Sequence, residues 1–163
     1  MKHWATFLLL AFVLGLLTAC DVIPSEDTPT PTTIVTSSSA LIQEAWKALD
    51  EGRYADAIDF AQQCIDHYED EAIQQQAALT SEVPLESGNK ATDEAIFANW
   101  ALNDVATAYF IKGRALSRLE DTVNARLAFE GTFGFPDARA LGQDGSLWSP
   151  MKEAQEELER LTP

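Results

Sequence analysis

The sequence predicts an all-α domain, a short array of paired helices held behind an N-terminal targeting segment and a linker. Three observations predict it. Apolar residues recur at helical spacing from residue 41 onward. Small residues recur at matched places in two of the helical segments, Ala57 and Ala125 lying 68 residues apart. The first 37 residues differ in composition from the rest, an uncharged stretch followed by a Pro/Thr/Ser-rich one, so neither joins a folded core.

Length and charge narrow the function classes. A chain of 163 residues accommodates one small domain. Its 26 acidic and 11 basic residues give a net charge of −15 and a pI near 4.3. That balance argues against a nucleic-acid binder, which needs a basic stripe to neutralise phosphates, and against a polybasic membrane-surface module. A hydrophobic fraction of 46% is ordinary for a globular chain. Two cysteines and two histidines leave few ways to build a zinc site or a disulfide framework, and no metal or cofactor is expected.

The chain opens with Met1-Lys2-His3, a short positive segment, and then runs uncharged from Trp4 to Leu17. A membrane-spanning helix needs roughly 18 or more apolar residues, so this stretch suits a signal-peptide core instead. Leu17-Thr18-Ala19-Cys20 resembles the lipobox of bacterial lipoproteins. The resemblance implies that residues 1–19 are removed and that the Cys20 thiol carries the lipid, diacylglycerol with palmitate-type chains. An ordinary secretory signal with a chance cysteine is the alternative. Asp21 resembles the inner-membrane retention signal of enterobacterial lipoproteins. The expected location is a cell membrane, lipid-anchored, facing the periplasm or the exterior. Cleavage would remove only Lys2 among the charges, leaving a chain one unit more acidic than −15.

Residues 21–37, DVIPSEDTPTPTTIVTS, lack helical periodicity and read as an extended linker. At about 3.1 Å per residue they reach roughly 50 Å. The folded domain is expected over 38–163.

The first helical stripe comprises Leu41, Ala45, Ala48 and Leu49; Gly52 and Arg53 make a turn; Tyr54, Ala57, Ile58, Ala61, Cys64, Ile65 and Tyr68 form a second stripe. Helices this close in sequence pack antiparallel. A second copy, AYFIKGRALSRLEDTVNARLAFEGTFGFPDA, carries Tyr109, Gly113, Leu116, Ala125, Phe129 and Pro136. Gly113 and Ala125 allow close helix approach and the aromatics fill the space beyond. Both segments resemble the tetratricopeptide repeat (TPR), whose period of 34 is half the separation of Ala57 and Ala125. The resemblance covers 41–68 and 105–137, with a degenerate middle unit expected over 72–105. There Ala91, Ala95 and Ala98 keep the small-residue pattern of a second helix, while Leu79 breaks that of the first. Pro84 and LESGNK at 85–90 lengthen its inter-helix loop. Residues 92–119 are expected to run as one helix, because no Gly or Pro lies between Thr92 and Lys112; Asn103-Asp104 would be the break otherwise. Trp148 and Pro150 announce a packed C-terminal element, and Met151–Leu161 a capping helix, which a solenoid needs to cover its last apolar face. The segments NWALNDVATAYFIKG (99–113) and DGSLWSP (144–150) also resemble a group of poorly characterised bacterial TPR proteins.

No P-loop, GxSxG, HExxH, CxxC or EF-hand pattern is present. After signal removal one histidine, His67, stands three residues from Cys64. A thiolate–imidazole pair is one reading; a small buried hydrophobe at Cys64 is the favoured one. The acids around 66–71 lack calcium-loop spacing and fit a helix start instead. Trp46, Trp100 and Trp148 read as packing residues more readily than as a sugar platform.

The TPR resemblance implies that extended peptides bind in a concave groove lined by the first helix of each unit. Carried onto this sequence, those positions are Ile42, Trp46, Leu49 and Asp50, and then Phe110, Arg114, Ser117 and Arg118. Arg114 and Arg118, four apart on one helix face in an acidic chain, suit a carboxylate or an acidic peptide; pairing with the chain's own acids, such as Glu120, Asp121 or neighbours in the middle unit, is the alternative. The expected function is therefore a lipid-anchored, non-catalytic protein-interaction or scaffold module of the cell envelope with a protein or peptide partner. The rival is a glycan-related enzyme or small-ligand binder using acids and tryptophans near residues 83–100. A homodimer through an end face is also open, since so few repeats are near the minimum for a stable solenoid.

Overall fold

A computed structural model describes residues 36–80, 94, 96–142 and 145–162. All of them belong to the second of two compact units, 35–163. The signal segment, Cys20, Asp21, most of the linker, Pro84 with residues 85–90, Ala91 and Ala95 lie outside the described residues. What is described is mostly helical, as an all-α domain requires.

Helix α1 (Ser38–Asp50) starts because the Ser37 hydroxyl accepts from the Ala40 amide at 3.3 Å. It stops in a Schellman turn: the Gly52 amide donates to Leu49 and the Arg53 amide to Ala48, with Gly52 at φ +75°. Helix α2 (Tyr54–Ala78) returns antiparallel, burying Ala57, Ala61, Cys64, Ile65 and Ala72. Helix α3 (Trp100–Arg118) packs on both α1 and α2, and α4 (Thr122–Gly131) folds back on α3. Its N-cap, Asp121, accepts from the Asn124 amide at 3.2 Å. The two hairpins share one register. α1 and α3 end at Asp50 and Arg118, α2 and α4 begin at Tyr54 and Thr122, and each pair is 68 residues apart. The α3–α4 turn has the Schellman bonds too, but its left-handed position is Glu120, at φ 61°.

Two expectations need correction. α2 continues unbroken to Ala78, so residues 72–78 extend that helix and do not open a separate middle hairpin. And 92–119 is not one helix: the chain turns at Asn99, with φ −92° and ψ 47°, before α3 begins. The break survives without Gly or Pro because tertiary partners satisfy the exposed helix ends. The Gln75 side chain of α2 accepts from the Leu102 amide at 3.0 Å, and Asn103 Nδ2 donates to the Ile96 carbonyl at 2.9 Å. The next glutamine, Gln76, grips Asp137 at both backbone amide and carboxylate, 3.2 and 2.8 Å. The far half of α2 is thus a clamp for the start of α3 and for the loop after α4.

Beyond α4 a short 3₁₀ turn, Thr132–Gly134, leads to Phe135, which stacks on Tyr109. The C-terminal element adds something the all-α expectation did not include, a two-stranded antiparallel ribbon. In it β1 (Ala140–Leu141) pairs with β2 (Leu147–Trp148), Ala140 opposite Trp148. Ser149 then caps α5 (Pro150–Arg160), with Pro150 in its first turn. α5 lies where the closing helix was expected: Ala154, Leu158 and Leu161 cover Phe110, Leu116, Ala125 and Phe129, while its other side is charged.

Candidate peptide-binding site

Of the eight groove positions, Ile42, Leu49 and Phe110 point into the core and are 9%, 8% and 5% exposed. Trp46, Arg114 and Ser117 are half-buried; Asp50 and Arg118 are exposed. α1 and α3 bring Trp46 and Phe110 to a ring separation of 6.2 Å. The chain's own C-terminal ribbon packs a third ring against both. Trp148 sits 6.3 Å from Trp46, edge-on, and 5.2 Å from Phe110. What remains open to a ligand is therefore a ledge beside this aromatic cluster. Arg114 holds its guanidinium over the Phe110 ring at 5.9 Å from the centroid, and Arg118 lies one turn on. The Ser117 hydroxyl donates to the Gly113 carbonyl at 2.9 Å.

The ion pairs among the described residues belong to Arg53, with Glu51 and Asp56, and to Arg160, with Glu156 and Glu157. Neither Arg114 nor Arg118 joins one. Asp121, an expected partner, spends both carboxylate oxygens on Asn124 at the start of α4. The charge is also uneven. Residues 38–78 contain nine acids and two bases, whereas 100–131 contain four of each, so the arginine ledge lies in the neutral half of the domain.

Cys64 and His67 do not form a reactive pair. Cys64 is fully buried, and that burial, with Asp104 nearby, pushes its thiol up to about 12. His67 is exposed, its Nδ1 2.8 Å from the Gln63 carbonyl. Trp100, by contrast with Trp46 and Trp148, is 44% exposed and stands edge-on to Tyr68 at 5.5 Å. Among the described residues no cluster of His, Cys, Asp or Glu is arranged to hold a metal ion, and no helix is long and apolar enough to cross a membrane.

Two polar contacts were not legible from sequence. Asp104 accepts from the Ser38 hydroxyl at 2.5 Å, supplying a carboxylate to the N-terminus of α1, whose own first turn has none. Burial raises the Asp104 pKa, and the Ser38 bond partly offsets this. The Tyr109 hydroxyl donates to Glu69 at 2.6 Å; burial first, then Glu69 and Asp66, push its ionisation up. A hint existed only for Asp104, the sole acid of its helix. No protein-family model matches the chain, and no curated protein or solved structure does either.

Proposed function

We propose that the chain is a lipid-anchored, extracytoplasmic module of TPR-like hairpins that holds a partner protein through an acidic segment. The observation carrying this reading is the pair Arg114 and Arg118, one turn apart and without an ion pair among the described residues of a chain with 26 acids. Two guanidinium groups so spaced take carboxylates bidentately, and the edges of Trp46 and Trp148 give the bound segment an apolar footing. The repeat reading is supported by the shared hairpin register and by Gly113 against Phe129. The anchor reading is supported by Leu17-Thr18-Ala19-Cys20. The mechanism is display without catalysis: lipid holds the protein at a membrane, the linker gives reach, and the ledge captures a segment during an envelope process such as assembly, secretion or wall synthesis.

The test uses the full chain in detergent micelles and a fluorescein-labelled Glu/Leu decapeptide, read by anisotropy. Arg114→Ala with Arg118→Ala weakens binding at least tenfold while the thermal melt stays unchanged; equal affinity sinks the proposal. For the anchor, Cys20→Ser abolishes the lipid mass increment and the membrane fractionation.

A second reading keeps one observation in its favour, the exposed face of Trp100. A sugar or small-ligand site there would show as oligosaccharide quenching of tryptophan fluorescence that Trp100→Ala removes.

A further inference from the structure

α4 is apolar on two faces. Ala125, Ala128 and Phe129 pack inward, yet Val123 and Leu127, one turn apart, are 71% and 60% exposed, and Leu119 just before the helix is 51% exposed. A helix with a second apolar stripe normally has something to cover it. Beside that stripe runs a groove of about 430 Å³, lined by Tyr109, Lys112 and Leu116 of α3 and by Asn124, Leu127 and Ala128 of α4. It lies on the flank of α3 roughly opposite the Phe110–Arg114–Arg118 ledge, given about 100° of turn per residue.

α2 contributes no side chain to the lining but is bonded to two residues that do, Tyr109 and Lys112. Asp59, Gln62, Asp66 and Glu69 recur every three or four residues on one face of that helix. Two of them mark where the face points: Gln62 accepts from Lys112 Nζ at 2.5 Å and Glu69 from the Tyr109 hydroxyl at 2.6 Å. An acidic rail therefore borders one side of the groove and an apolar rail the other. Lys112 is the one cation in the lining and donates to the neutral Gln62 amide, so a single positive charge stands against the three carboxylates of Asp59, Asp66 and Glu69. Arg126 of α4 is half-buried and not part of the lining.

We infer that this groove docks a basic amphipathic helix of a partner protein. Its apolar side would lie on Leu116, Val123, Leu127 and Ala128, and its Lys or Arg side along Asp59, Asp66 and Glu69. α4 is ten residues long, about 15 Å, so three turns of partner helix match it. The charge pattern selects the occupant: an acidic helix would meet the α2 rail in repulsion, and an anionic membrane would meet the same barrier.

The full chain in micelles is titrated against three labelled 14-residue peptides: an amphipathic Leu/Lys helix, the same helix with Glu for Lys, and a scrambled Leu/Lys peptide of equal charge. The Leu/Lys helix binds; the Glu helix and the scrambled peptide bind at least tenfold more weakly. Val123→Glu with Leu127→Glu, and separately Asp59→Asn with Asp66→Asn and Glu69→Gln, each raise Kd at least tenfold with the far-UV circular dichroism unchanged. Arg114→Ala with Arg118→Ala leaves this Kd as it was, which separates the groove from the arginine ledge. Equal binding of the scrambled or acidic peptide overturns the inference, as does indifference to the Val123/Leu127 pair. A self-dimer in sedimentation that the same pair abolishes would assign the groove to a second copy and overturn it equally.

Discussion

Gly113→Ala should destabilise the domain, although helix propensity alone predicts the reverse. Gly113 lies inside α3, where Ala is favoured by about 1 kcal/mol. A Cβ at this position, however, would lie 2.6 Å from Phe129 Cδ1 and Cε1 and 2.9 Å from Cγ. Phe129 is fully buried and touches Phe110, whose ring is 5.9 Å away, so its ring has no free direction in which to yield. Restoring ordinary contact needs α3 and α4 to separate by about 1 Å, and overpacking of that kind costs about 1–3 kcal/mol. With the propensity gain subtracted, a net loss of up to about 2 kcal/mol is expected. That loss appears in urea unfolding followed at 222 nm and as a fall in Tm of up to roughly 8 °C. A cycle with Phe129→Leu isolates the cause, because the smaller side chain admits the new methyl group. The double variant should be more stable than the sum of the singles predicts, by roughly 0.5–3 kcal/mol. A Gly113→Ala protein stabilised by about 1 kcal/mol, or an additive cycle, would refute the close helix approach on which the α3–α4 hairpin rests.

Glu120 holds the left-handed position that Gly52 holds in the first hairpin. Glu120→Gly relieves about 1–2 kcal/mol of strain against a glycine entropy cost of about 0.5–1 kcal/mol; a net gain of up to about 1.5 kcal/mol is expected, and a less stable variant in urea contradicts it. For Asp104 the folded pKa is raised, so its contribution is present below the unfolded value, near 3.9, and is lost as pH rises through the folded value. Asp104→Asn, whose side chain still accepts from Ser38, should therefore gain stability relative to the parent on going from pH 3 to pH 7; a relative loss over that range refutes the burial argument. Trp148→Ala removes the ring packed against both Trp46 and Phe110 and should cost about 2–4 kcal/mol. A cost below about 0.5 kcal/mol, the range of ordinary surface substitutions, would mean the ribbon does not close the space between α1 and α3.

The hairpins were legible because their signals are local. Gly52 and Arg53 mark one turn; the alternation of small and large residues around Ala57, Gly113 and Ala125 marks faces that touch; Trp148 and Pro150 mark the packed C-terminal element and Met151–Leu161 the closing helix. The break at Asn99 was not legible, since neither Asn99 nor its neighbours are strong helix breakers. Gln75, 24 positions earlier, satisfies the amide that the break exposes. The α2 extension was hidden for a related reason: residues 72–78 fit an opening helix as well as a continuing one, and only the grip of Gln75 and Gln76 on Leu102 and Asp137 selects continuation. The arginine ledge could be read from spacing and charge. Its floor could not, because nothing in Leu147-Trp148 tells which pair of aromatic rings the ribbon will meet.

The sequence by itself determined the helical period, the two hairpin turns in their common register, the amphipathic closing helix and the acidic balance that argues against nucleic acid. The periods and the turns depend on residues within a few turns of one another, and the register and the charge are read from the linear sequence alone. The tertiary structure alone decided where α2 ends, where α3 begins, that Trp148 packs against both Trp46 and Phe110, and that α4 keeps a second apolar stripe exposed. Those outcomes depend on which side chains meet across dozens of intervening residues. A buried amide or ring is satisfied by whatever the fold brings to it, and the identity of that partner is not written next to it in the chain.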